Sequence, residues 1–267
     1  MPRIPVVPGR HLTLGDVIRS LDFADLEASG NWGHDERARV VGPDTIRVVY
    51  PRGSASPSTT RIHGAPAGGA QAYVRLKEPC AGARLTYEVR FPETFDPRRG
   101  GKLPGLYGRN PGAPRPSGGK SAAGAFSARL MWRAGLAGEI YLYSDRNRGA
   151  PRGESIGRGG VRFRRGVWHA VTLEVVLGPE GRVLCDVDGA RIGFEGGPLC
   201  EGVRVGGLFF STFFGGTDPS WACAADTHVD FRRFAITPLV SATGTNSTGA
   251  NATTAVRAPG PHPPRSP

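Results

Sequence analysis

What this chain lacks narrows its class first. No apolar run approaches the roughly 18 residues of a membrane-spanning helix, and no membrane partner is expected. No hydrophobic stretch follows Met1-Pro2-Arg3-Ile4-Pro5-Val6-Val7-Pro8, so no signal peptide is expected. Cysteine is sparse: Cys80, Cys185, Cys200 and Cys223 include no pair at C-x-x-C spacing, which argues against a zinc site. Free thiols are expected, and Cys200 and Cys223 could form one bridge only if the chain is secreted. There is no internal repeat. No RNA- or DNA-binding motif accompanies the net charge of +11, so no specific nucleic-acid partner is expected. A glycoside hydrolase needs two carboxylates at a set separation, and near the motifs described below only Glu139 and Asp145 offer themselves. Asp186-Val187-Asp188-Gly189 is too short for a calcium loop and reads as a hairpin turn.

What is abundant is glycine and proline, 40 and 24 in 267 residues, which favours short strands and tight turns. Leu85, Tyr87, Val89 and Phe91 alternate with charged or small residues, and Val171, Leu173, Val175 and Leu177 share one face of a strand over 168–177. That period of two marks half-buried strands. Further strands are expected at 183–187, 190–194, 203–214 and 228–236. Ten or more such strands predict an all-β fold, an antiparallel β-sandwich of jelly-roll type, over residues 35–238. The spacing of Leu14, Val17, Ile18 and Leu21 predicts a short helix over 16–28, in an N-terminal extension of residues 1–34. Residues 239–267 read as a low-complexity disordered tail. Its two N-x-T/S sequons matter only in a secretory pathway.

Charge is unevenly placed. Residues 98–168 hold two lysines and thirteen arginines against three acids, a net +12 that matches the whole excess. A field of this kind concentrates polyanions. Residues 109–122, rich in Gly, Pro and Ser, form a loop that either covers a groove or stays loose.

The same region carries Gly100-Gly101-Lys102-Leu103-Pro104-Gly105-Leu106, then Phe126-Ser127-Ala128-Arg129-Leu130-Met131-Trp132-Arg133, then Tyr141-Leu142-Tyr143. On strands, Ser127, Arg129 and Arg133 share one face, with Phe126, Leu130 and Trp132 opposite. Glu139, Tyr141 and Tyr143 likewise share a face. Cations, phenols and a hydroxyl on one surface suit an acidic sugar. The C5 proton of a uronate is barely acidic while its carboxylate stays charged. β-Elimination therefore needs a cation on that carboxylate, a base for the C5 proton and an acid for the departing O4. Arg129 offers a bidentate clamp. A tyrosine beside Arg129 and Lys102 is expected to have its pKa lowered and to act as base and acid, with the second tyrosine and Lys102 positioning or polarising. A non-catalytic module binding a glycan or another polyanion is the alternative.

These motifs, with a later Phe210-Ser211-Thr212-Phe213-Phe214-Gly215-Gly216, resemble polysaccharide lyase family 14, the alginate and glucuronan lyases with a β-jelly-roll fold. The resemblance runs from about Tyr87 to Phe234. It implies a lyase that cuts an acidic polysaccharide without a cofactor. It implies catalytic roles for Lys102, Ser127, Arg129, Tyr141 and Tyr143. Tyr107, Arg109 and Arg133 are the further candidates for substrate contact, no metal ligand is expected, and the protein is expected to be a monomer. The family includes enzymes of viruses that infect algae; release by lysis or association with a virion would suit a chain without a signal peptide.

Overall fold

The computed structural model describes residues 25–42, 44–120, 122–147, 152–216 and 218–239. The strands are β1 (Asp25–Leu26), β2 (Ala38–Val40), β3 (Thr45–Tyr50), β4 (Ala70–Cys80), β5 (Gly82–Arg90), β6 (Gly100–Arg109), β7 (Ala125–Arg133), β8 (Ala137–Tyr143), β9 (Glu154–Arg162), β10 (Trp168–Val176), β11 (Arg182–Val187), β12 (Ala190–Glu195), β13 (Val205–Phe214) and β14 (Thr227–Pro238). Among the described residues one α-helix, α1 (Pro57–His63), begins where the Ser56 hydroxyl accepts the Thr59 N–H and ends at Gly64 in the left-handed region.

Two seven-stranded sheets result, ordered β1-β4-β13-β6-β7-β8-β9 and β12-β11-β10-β5-β14-β3-β2. Every strand pairing is antiparallel. The expected β-sandwich is therefore the fold. The chain changes sheet at each step from β3 to β6, so strands distant in sequence become neighbours. We call the two the groove sheet and the back sheet.

The core lies between them and follows the alternation read from sequence. Leu85, Tyr87 and Val89 of β5 and Val171, Leu173 and Val175 of β10 share one buried cluster with Phe126, Ala128, Leu130 and Trp132 of β7 and with Ile140 and Leu142 of β8. Trp132 is wholly buried among Tyr50, Phe91, Phe95 and Phe214, at ring-centre distances of 5.4–6.4 Å. Its indole N–H donates to the Pro97 carbonyl at 3.1 Å. The β11–β12 hairpin turns at Asp188-Gly189, both with positive φ, as expected from that dipeptide. On the back sheet, the buried Asp230 carboxylate accepts from Arg47 at 2.8 Å and Arg90 at 2.9 Å. Burial alone would raise its pKa, but these hydrogen bonds outweigh that and hold it below the usual value.

Two expectations change. Most of the helix expected at 16–28 lies outside the described residues, and its end is instead strand β1, with Asp25 paired to Arg75 and Leu26 to Val74. Trp32 also bridges to Gln71, so the groove sheet takes up residues before 35. All four cysteines are free thiols, so Cys200 and Cys223 form no bridge. Residues 240–267, nearly all of the expected tail, lie outside the described residues.

Candidate active site

Three adjacent strands carry the motif residues, and their register brings them together. Lys102 pairs with Met131, which pairs with Glu139; Gly105 pairs with Arg129, which pairs with Tyr141. The β6–β7 pairing shifts between Lys102 and Gly105, around Pro104, which has no N–H to give to a ladder. The flanking glycines have a packing reason. A Cβ on Gly105 would stand 1.9 Å from the Ala128 carbonyl oxygen, and one on Gly101 would stand 2.1 Å from the Trp132 ring. Strand β6 can lie this close to β7 and the core only without side chains there.

Lys102, Arg129, Tyr141 and Tyr143 line a cavity of about 1250 Å³ on the groove sheet. That is more than the ~300–1,000 Å³ of a small-molecule site and suits an extended ligand. Lys102 is nearly buried; its Nζ donates to the Met131 thioether at 2.7 Å and stands 3.3 Å from the centre of the Tyr141 ring. Burial first, then the charges of Arg129 and Arg133, hold its pKa well below the usual lysine value, against an opposing pull from Glu139. Arg129 is 2% exposed; Nη1 donates to the Ser211 hydroxyl at 3.3 Å, and its Nε has no partner. No carboxylate among the described residues pairs with it. A buried guanidinium held without an anion is unusual, since buried charges are normally paired.

The rings of Tyr141 and Tyr143 meet edge to face at 5.6 Å. The Tyr141 hydroxyl accepts from the Gly153 N–H, and the Tyr143 hydroxyl from the Gly119 N–H, each at 3.1 Å. Burial pushes the Tyr141 pKa up to about 12, with Tyr143 adding to the rise and Gly153 and Arg129 opposing it. The expected lowering of this phenol does not occur, because desolvation outweighs the cations.

Beyond this centre, Glu139 is fully buried beneath the groove and holds Arg133 and Arg158, the latter at 2.7 Å. Burial favours its protonated form, but the two guanidinium groups outweigh that and lower its pKa. Arg133 also lies 5.7 Å from the Trp221 ring, and Arg99 lies 5.0 Å from the same ring. Arg61, Lys120 and Arg152 line the cavity further along.

Three anticipated site residues do not reach the cavity. Ser127 shares the face of Arg129 but is fully buried, and its hydroxyl donates to the Pro116 carbonyl at 2.7 Å. Tyr107 is buried against Tyr73 and Phe209, and its hydroxyl bonds Glu27. Arg109 is paired with Glu27 at 3.0 Å. Arg133 does line the cavity. Residues 117–120 wall one side of it, so the loop expected either to cover a groove or to stay loose adopts the first form. Sequence reasoning placed Glu139 on the tyrosine face without a site role and assigned none to Met131, Ser211 or Trp221. Met131 and Glu139 were within reach, since each lies two residues from a named site residue on the same strand face. Among the described residues, no three His, Cys, Asp or Glu side chains cluster as metal ligands.

The family model for polysaccharide lyase 14 matches residues 39–234. The chain belongs to this family. The lyase is also similar to the marine alginate lyase of this family from Aplysia kurodai, at 30% identity and a TM-score of 0.66, covering 79% of this chain and 90% of that one. The alginate lyase vAL-1 from a Chlorella virus matches at 18% identity and a TM-score of 0.64, over 86% of this chain and 99% of that one. Alginate lyase Aly36B, solved in complex with an alginate trisaccharide, matches at 17% identity and a TM-score of 0.70, over 89% and 97%. Among curated proteins no sequence matches the lyase.

Proposed function

We propose that this lyase cleaves a polyuronate, alginate or glucuronan, by β-elimination, with Lys102 as the base. The observation that carries this is a lysine and a tyrosine in contact whose pKa values are displaced in opposite senses, down for Lys102 and up to about 12 for Tyr141. Such divergence assigns the base and the acid. Arg129, buried without an anion, receives the uronate carboxylate and stabilises the enolate-like intermediate. The neutral Lys102 amine takes the C5 proton. The Met131 thioether accepts one amine hydrogen and adds no negative charge that would favour the ammonium. Tyr141, still protonated, gives its proton to O4 as the C4–O4 bond breaks and the C4–C5 double bond forms. The Lys102 ammonium then gives up its proton to water in the open cavity and the Tyr141 phenolate takes one from it, which restores both groups.

This arrangement replaces the expected use of one tyrosine as both base and acid. Lys102 and Tyr141 stand together on one side of the site, which suits β-linked D-mannuronate or D-glucuronate, where the C5 hydrogen and O4 leave from the same side. Arg133 and Arg158 on Glu139, with Arg99 beside Trp221, supply cations for neighbouring uronates. The test is incubation with glucuronan, polymannuronate and polyguluronate while following ultraviolet absorbance of the new double bond. Absorbance should rise on the first or second and remain low on the third. No unsaturated product from any of them would refute the proposal.

A further inference from the structure

The wall of the groove at residues 117–120 is held by a residue that never reaches the groove. We infer that Glu27 is a positioning residue that latches the β6–β7 loop in place and, through it, fixes the hydroxyl of Tyr143. Glu27 is itself set by β4: its N–H donates to the Tyr73 carbonyl at 2.8 Å, and its carbonyl accepts from the Asn31 amide at 2.7 Å. Its nearly buried carboxylate receives Arg109 at 3.0 Å, where the loop leaves β6, and Arg115 at 2.6 Å, midway along the loop. Arg115 also donates to the Ser29 hydroxyl at 3.1 Å and lies 5.2 Å from the Tyr73 ring. One carboxylate thus joins two cations that would otherwise repel.

From Arg115 the connection runs through the loop to Tyr143, whose hydroxyl bonds that of Tyr141, the proposed proton donor. The Arg115 carbonyl accepts the Ser117 N–H at 2.9 Å, and the Pro116 carbonyl accepts the Ser127 hydroxyl. Two residues on, the Gly119 N–H donates to the Tyr143 hydroxyl. Beyond these ties the loop is held by the Asn110 N–H on the Gly124 carbonyl at 2.8 Å, by turns of its own backbone, and by the Tyr73 hydroxyl on Ser117. Gly112, Gly118 and Gly119 all take positive φ, and around Gly112 and Gly118 there is open space where a side chain would be. A loop of this composition is ordered by its anchors. Tyr107, Arg109 and Ser127, anticipated as site residues, belong to this latch: they bind the carboxylate or the loop, not the cavity.

The inference concerns positioning, and only its activity arm rests on the proposed lyase chemistry. Two variants break the same ion pair from opposite sides, Glu27→Gln and Arg115→Gln. Amide hydrogen exchange at residues 117–120 should rise about tenfold or more in both, because open states of the loop become more populated. On a polyuronate, each should lower kcat by roughly ten- to a hundredfold with KM changed less, as misplacement of a contributing group does. Combined with Tyr143→Phe, neither should add its full effect, since both act through one hydroxyl. Unchanged exchange in both variants overturns the latch, as does multiplication of the Glu27→Gln and Tyr143→Phe effects. Raised exchange in a protein that never yields unsaturated product upholds the latch and refutes the chemistry.

Discussion

Replacing Lys102 with arginine separates two ways in which a cation could serve this site. If residue 102 contributes positive charge, arginine keeps it; if it contributes a lone pair, arginine removes it, because a guanidinium does not lose its proton in proteins. The surroundings of Lys102 point to the lone pair. Burial and two arginines lower its pKa, while a tyrosine ring 3.3 Å from Nζ and the buried Glu139 favour the ammonium. The ring contact contributes about 2 kcal/mol in a desolvated setting, roughly 1.5 pKa units toward the charged form. The net lowering must therefore come from desolvation and like charge, which a bulkier, permanently charged group would feel in full. Lys102→Arg should lower kcat by about 10²–10⁴-fold, the span of a lost general base, or roughly 3–5 kcal/mol of activation free energy. The assay is initial-rate absorbance on polymannuronate or glucuronan across pH. In the parent enzyme, the acid limb of kcat/KM should report a group with a pKa well below that of ordinary lysine. A Lys102→Arg variant retaining a tenth or more of parental kcat would refute the base assignment. So would an acid limb that does not move in Glu139→Gln, where loss of the neighbouring carboxylate should shift it to lower pH.

Tyr141→Phe should lower kcat by about 10²–10⁴-fold with KM little changed, measured by the same absorbance assay, because only the proton donor is lost. Arg129→Ala should raise KM and lower kcat together, since the clamp acts on both bound sugar and intermediate. Raising salt should weaken capture more than saturated turnover, and neutralising Arg99, Lys120 and Arg152 together should blunt that response; Arg109 and Arg115, paired with Glu27, should contribute little to it. Asp230→Ala should destabilise the fold by about 1.5–3 kcal/mol in denaturant titration, because the charged hydrogen bonds from Arg47 and Arg90 are lost while both guanidinium groups, each about a third exposed, regain water. The folded-state pKa of Asp230 lies below the unfolded value. Its contribution should therefore be present at neutral pH and fade as pH falls from the ordinary carboxylate range through that lower value.

The sandwich and the centre of the site were readable because both rest on a period of two. Phe126, Leu130 and Trp132 enter the core, and Arg129, Met131 and Arg133 enter the groove, as strand alternation requires. Register between strands was less accessible, since it depends on the shift around Pro104 and on pairing between segments distant in sequence. The direction of the Tyr141 shift was missed because neighbours can be read from sequence, whereas depth of burial cannot. Glu27 was invisible for a related reason: its partners Arg109 and Arg115 lie 82 and 88 positions away. The loop's basic charge read as open to a polyanion, with Arg109 a candidate for substrate contact, because nothing near it in sequence is acidic.

Strand β7 carries the core on one side and chemistry on the other, so its residues answer to different pressures at alternate positions. Substitutions at 126, 128, 130 and 132 are felt first as heat sensitivity. Those at 129, 131 and 133 are felt first in what the enzyme cuts and how fast. Change in the groove can thus fall on every second residue of a single strand, while the alternate residues preserve the sandwich that carries it.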